Sequence, residues 1–76
     1  MRWQEHIVAT FETLHGSPRF KGTRIPVSVV LDNLASGVSP EELHADYPTL
    51  PKEAVPAALA YAADLARDTI VPIPTA

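Results

Sequence analysis

The chain has 76 residues, no cysteine, 46% hydrophobic residues and a formal net charge of −3. That length suits one domain with a thin core, since a ~60-residue domain buries only about 60% of its unfolded surface, and the lack of cysteine excludes disulfides and the commonest structural zinc sites together. No stretch approaches the ~18 uncharged apolar residues of a bilayer span and no unbroken apolar run marks a secretory leader, so a cytoplasmic protein without a membrane role is expected, with self-association the remaining support for so small a core.

Residues 7–13 alternate, with Ile7, Ala9 and Phe11 on one side and Val8, Thr10 and Glu12 on the other, which predicts a strand. His15, Gly16, Ser17 and Pro18 supply turn chemistry. A second arm is expected over residues 19–25, with Phe20 opposed by Arg19 and Lys21 and with Gly22 marking a bulge or a close backbone approach. The predicted β-hairpin thus covers residues 7–25.

Pro26 suits a first helical position, and Val27, Val30, Leu31, Leu34, Ala35 and Val38 then follow the spacing of one helical face. Gly37 supplies the left-handed residue that ends such a helix. The second helix carries the clearest local signal: Ser39 as cap, Pro40 in the first turn and Glu42 at the reciprocal capping-box position. Val38 and Leu43 are spaced as the hydrophobic staple around that cap. Pro48 stops this helix at Tyr47, because proline disfavours helical geometry in its predecessor. A loose turn at residues 51–54 and a third helix from about Val55 to Asp68 accommodate Pro56, whose ring would otherwise clash with the Lys52 carbonyl. Residues 54–63 hold no charged side chain, so this helix must be covered on more than one side, by a second copy or another partner. The tail, residues 69–76, alternates proline with β-branched residues and is expected to be extended.

The run KGTRIPVSVVLDNLASGVSPEELHADYPTL, followed by AALAYAADLAR, resembles the DUF433 family over roughly Ile7 to Arg67. The distinctive parts are GTRIPV at Gly22 to Val27, SPEE at Ser39 to Glu42, Asp46-Tyr47-Pro48, and AALAYAA at Ala57 to Ala63. The resemblance implies a mainly α fold: a homeodomain-like three-helix core at residues 26–68 preceded by the hairpin, in one domain, usually dimeric. It also implies a VapB-like antitoxin, encoded beside a nuclease-like toxin of the PIN or Mut7-C type. Pro56 departs from the family pattern, where a polar or basic residue is common.

Charge is uneven. Arg2, Arg19, Lys21 and Arg24 face two acids in residues 1–25, a balance of +2, whereas Lys52 and Arg67 face seven acids in residues 26–76, a balance of −5. Local potential governs an encounter with a polyanion, so a nucleic-acid surface is expected at Arg19, Lys21, Thr23 and Arg24, with Lys52 as an outlying base. A β-ribbon can enter a major groove; against this stands the simpler reading in which Arg24 pairs with Asp32 or Glu42 and the other bases face water. The connection from Glu41 to Leu59 has helix-turn-helix spacing, but its second helix opens with Lys52, Glu53, alanine, valine and proline, which favours burial over base reading. Promoter DNA is therefore expected at the hairpin rather than at this helix.

For a protein partner or a second copy, the expected contacts are Val55, Leu59, Tyr61, Ala62 and Leu65 on the third helix and Ile70, Val71 and Ile73 in the tail. His6, His15 and His44 lack the helical pairing of metal ligands, except that Glu41 lies three residues before His44. Trp3, Phe11 and Phe20 could offer a stacking platform for a single strand, though a hairpin core face explains them as well. There is no nucleophile and base set and no phosphate-cradling glycine loop. The chain is accordingly expected to be no enzyme and to need no cofactor.

Overall fold

Two short strands pair because Ile7 and Phe20 share a need to leave water. The computed structural model describes residues 1–9 and 17–68, and in it β1 (Ile7–Val8) and β2 (Arg19–Phe20) form an antiparallel pair with Ile7 opposite Phe20 and Val8 opposite Arg19. Successive strand side chains point to opposite faces. Ile7 and Phe20 are accordingly buried, while Val8 and Arg19 occupy the outer face. Ahead of β1, Trp3–Glu5 forms a single 3-10 turn that the sequence pattern does not announce.

The second arm of the hairpin is shorter than expected. It stops at Phe20, where the chain reverses: the Thr23 amide donates to the Phe20 carbonyl at 3.0 Å, and Gly22 takes φ +80°. A type II turn requires positive φ at that third position, so the glycine serves a reverse turn and not a bulge. The returning chain pairs back onto β2, with the Phe20 amide donating to Ile25 and the Val27 amide to Pro18. Arg19 is thereby bridged by Val8 on one side and Pro26 on the other. The expected strand beyond Ala9, the residues Thr10 to Thr13, His15 and Gly16, lies outside the described residues; Ala9 itself is exposed rather than sharing Ile7's burial.

Three helices complete the fold, which is mainly α. Helix α1 (Val27–Ala35) begins one residue later than expected, with Pro26 as its extended N-cap. It ends in a Schellman arrangement: Gly37 has φ +93°, its amide donates to Leu34, and the Val38 amide donates to Asn33. Val27 and Val30 are buried on its inner face, with Leu31 and Leu34 beside them; Ala35, expected on that face, is exposed. Helix α2 (Pro40–Asp46) has the expected bounds, with Ser39 Oγ accepting from the Glu42 amide at 3.2 Å. The box is not reciprocal, because the Glu42 carboxylate accepts from the Ser39 hydroxyl instead. Leu43 turns fully inward, and Val38 packs on the same core.

Helix α3 (Ala54–Asp68) starts one residue before the expected Val55. Pro56 therefore lies in its first turn, where backbone amides have no helical acceptor, so the missing donor is harmless. The Ala57 amide donates to Glu53 at 3.0 Å across it, and the helix is not broken. Ala54, Ala57 and Ala58 are fully buried, and their small side chains let α3 pack on α1. The uncharged run is thus covered by the chain itself along its first half, which corrects the expectation that a second molecule must cover all of it. Phe20, Leu43, Val27 and Val30 are the largest fully buried side chains; each such burial contributes about 1.5–3 kcal/mol.

Candidate functional site

The outer face of β2 opens a basic cleft. Alternation along the strand sends Arg19 away from Phe20 and the core, into an open cleft of about 450 Å³ lined by Arg19, Gly22, Thr23, Arg24 and Thr49. The turn is held closed by Thr23, whose Oγ1 donates to the Phe20 carbonyl at 2.9 Å and accepts from the Ile25 amide at 3.1 Å. The Thr23 carbonyl in turn accepts from Arg19 Nη1 at 3.1 Å, which fixes the guanidinium. Arg19 Nε is buried and has no hydrogen-bond partner among the described residues. Arg24 is exposed and sits in no ion pair among those residues, so the expected pairing with Asp32 or Glu42 does not form; Asp64 and Arg67 make the one ion pair found there.

Three of the sequence-derived nucleic-acid residues, Arg19, Thr23 and Arg24, therefore meet in one place. Lys21 and Lys52 do not join them: both are exposed, outside the cleft lining. Thr49 completes the cleft and was missed. It comes from a reverse turn between α2 and α3, in which the Leu50 amide donates to Tyr47 at 2.9 Å and Pro48 takes the second position. Proline there predicts a turn, but not which surface the turn meets.

A second feature runs along α3. Leu59 and Leu65 are 52% and 48% exposed, whereas Ala62 and Tyr61 are half-buried. Val55 is taken up by the chain's own core. Ile70, Val71 and Ile73 lie outside the described residues. Tyr61 meets Trp3 edge to face, with ring centroids 5.0 Å apart, and Trp3 Nε1 donates to Asp64 Oδ2 at 2.6 Å. These contacts tie the 3-10 turn to α3. Asp64 also accepts from Arg67. The indole N–H, followed by the Arg67 guanidinium, holds the Asp64 carboxyl below its ordinary value of 3.8, with partial desolvation acting weakly the other way.

Burial removes one earlier candidate and a ring contact engages another. Phe20 is fully buried, so it cannot stack on a base, and Trp3 is engaged with Tyr61; Phe11 lies outside the described residues. At the start of α3 the residues left outward are Lys52, Glu53, Pro56 and Leu59, of which only Lys52 and Glu53 carry groups that can meet a base edge, while the helix itself offers proline and leucine. Among the described residues, no three His, Asp or Glu side chains gather to hold a metal ion. No helix among them is long and apolar enough to cross a membrane.

The fold and cleft define a small, mainly helical domain with a basic reverse turn beside a two-stranded sheet and two exposed leucines on its last helix. The family model for DUF433, a protein family of unknown function, matches residues 7–62, and the chain belongs to that family. A crystal structure of a DUF433 member from Anabaena variabilis is similar, with a TM-score of 0.75 and 32% sequence identity over 86% of this chain. The match spans 64% of that protein's length. None of the curated proteins compared matches the chain.

Proposed function

We propose that this chain is a VapB-like antitoxin: a non-enzymatic, cytoplasmic, dimeric protein that docks on a PIN- or Mut7-C-type ribonuclease toxin through α3 and neutralises it. The observation that carries this reading is the exposure of two leucines on α3: Leu65 continues the Ala54, Ala58, Tyr61 stripe past the end of the core, and Leu59 stands about a third of a turn away from it. Leu65 with Tyr61 and Ala62 has the i, i+3, i+4 spacing by which a helix is taken up in a partner's groove, and Leu59 adds an apolar flank. The balance of −5 in residues 26–76 suits approach to a nuclease whose substrate cleft is basic. Mixing the purified chain with the product of the adjacent gene is expected to give one co-eluting species in size exclusion and to stop RNA cleavage. Separate elution with undiminished cleavage removes the antitoxin reading.

A second reading, a DNA-binding regulator that acts alone or on the antitoxin's own promoter, is favoured by the convergence of Arg19, Thr23 and Arg24. Band shifts on upstream DNA with native chain and with an Arg19, Lys21, Arg24 triple alanine variant test it. Equal binding by the two eliminates the cleft as the DNA surface.

A further inference from the structure

We infer that the cleft at the Gly22 turn is a binding site for a single phosphate-type oxyanion, held by Arg19, Arg24 and Thr49. The inference deepens the DNA reading above by naming the chemical group recognised, and it stands or falls separately from docking at α3.

Four observations converge on it. Arg19 and Arg24 share one open cleft, and no carboxylate among the described residues neutralises either. Two cations held together without a counter-charge favour an anion between them. Arg19 is also oriented, since its Nη1 is occupied by the Thr23 carbonyl at 3.1 Å while its buried Nε–H has no acceptor. A guanidinium donates two N–H bonds side by side to an oxyanion, and Arg19 Nη2, which is neither buried nor hydrogen-bonded among the described residues, is left to donate.

The remaining lining fits the same ligand. Thr49 brings a hydroxyl from the α2–α3 connection, so donors reach the cleft from β2, from the turn and from a third segment. Approach from several directions suits a tetrahedral anion better than a planar carboxylate. The Thr23 hydroxyl is not one of these donors, because its proton goes to the Phe20 carbonyl. Gly22 leaves the entrance open: a Cβ there would meet nothing within 4 Å, and its positive φ disfavours any side chain. A volume of about 450 Å³ exceeds what a lone phosphate fills, so a phosphate carried on a larger molecule is accommodated. The shared chemistry is the phosphate group; its source is either a nucleic-acid backbone or a free phosphate.

The test is a titration of the whole chain with inorganic phosphate, read by amide resonances, against sodium chloride at equal ionic strength. Saturable shifts at Gly22, Thr23, Arg24 and Thr49 are expected with phosphate and not with chloride. Arg24→Gln is expected to weaken binding about tenfold, as loss of one charge-assisted contact does. Because Arg24 and Thr49 are exposed, Arg24→Gln and Thr49→Val report on binding without the refolding risk carried by Arg19→Gln. A short DNA duplex is then added to the phosphate-saturated chain. Displacement of phosphate, with a salt slope reduced by about one in Arg24→Gln, makes the nucleic-acid backbone the source. Phosphate saturation with no displacement keeps the site, assigns it to a free phosphate, and ends the DNA reading at this cleft. No saturation by phosphate, or identical saturation in Arg24→Gln, overturns the inference even if the duplex binds elsewhere.

Discussion

Replacing Leu59 and Leu65 together by alanine separates a docking face from an incidental one. Both side chains keep about half of their surface in water, 52% and 48%. Complete burial of a leucine contributes about 1.5–3 kcal/mol, so covering the exposed halves contributes roughly 0.8–1.5 kcal/mol each. The pair is worth about 1.5–3 kcal/mol to a complex, which is a loss of roughly 10- to 150-fold in affinity on truncation. The free chain should lose no more than the already covered halves contribute, roughly 0.8–1.5 kcal/mol each by the same measure, offset in part by the higher helix propensity of alanine. Isothermal titration of the adjacent-gene product into native and variant chains measures the first quantity, and thermal unfolding by circular dichroism the second. An unchanged dissociation constant would refute the assignment of α3 as the docking face. A loss of stability in the free chain well beyond that amount would show that the leucines serve the fold instead.

Three further outcomes follow from the packing. Phe20→Ala removes the largest fully buried side chain; a cost of about 3–5 kcal/mol rivals the ~3–5 kcal/mol that so small a core yields, so urea titration should find the variant mostly unfolded in buffer. Ser39→Ala deletes the acceptor for the Glu42 amide and should lower the urea-derived stability by about 1 kcal/mol; no change would mean that α2 needs no cap. Asp64 is titrated below 3.8 in the folded chain, so its contribution is present above that pH and is lost as pH falls through the lower folded-state value. Trp3→Phe removes the chief cause, and the difference in melting temperature between native and variant should shrink on acidification below 3.8. A gap that stays constant would detach the indole from the carboxylate.

Where proline and a cap act within one turn, local chemistry made the fold legible. Ser39 with Pro40, and Tyr47 before Pro48, bound α2 at the expected residues, and Gly37 closes α1 as its position foretold. Pro56 was harder, because its consequence depends on a helix start that sequence defines only within a residue or two: one turn further in, it would break the helix that it now opens. Alternation around Phe20 imitates a longer strand, and only the pairing of Phe20 with both Ile7 and Ile25 reveals the reversal. The basic residues were legible as a group, whereas Thr49 reaches them across 25 positions of chain from Arg24, a distance that no local pattern encodes. Alanines carry no mark of which side they bury. The covered first half of α3 and its bare leucines could therefore be told apart only by packing.

The chain contains one tryptophan, and it sits where its light can be read. Trp3 lies edge-on to Tyr61 and hydrogen-bonded to Asp64 on α3. Ultraviolet emission from that indole is therefore a built-in, label-free gauge of the terminal helix: lifting the amino-terminal turn off it would release the ring into solvent and move the spectrum to the red. A ligand that seats on the helix without disturbing this lid would leave the colour unchanged, so spectroscopy on unmodified protein can report where a newcomer lands.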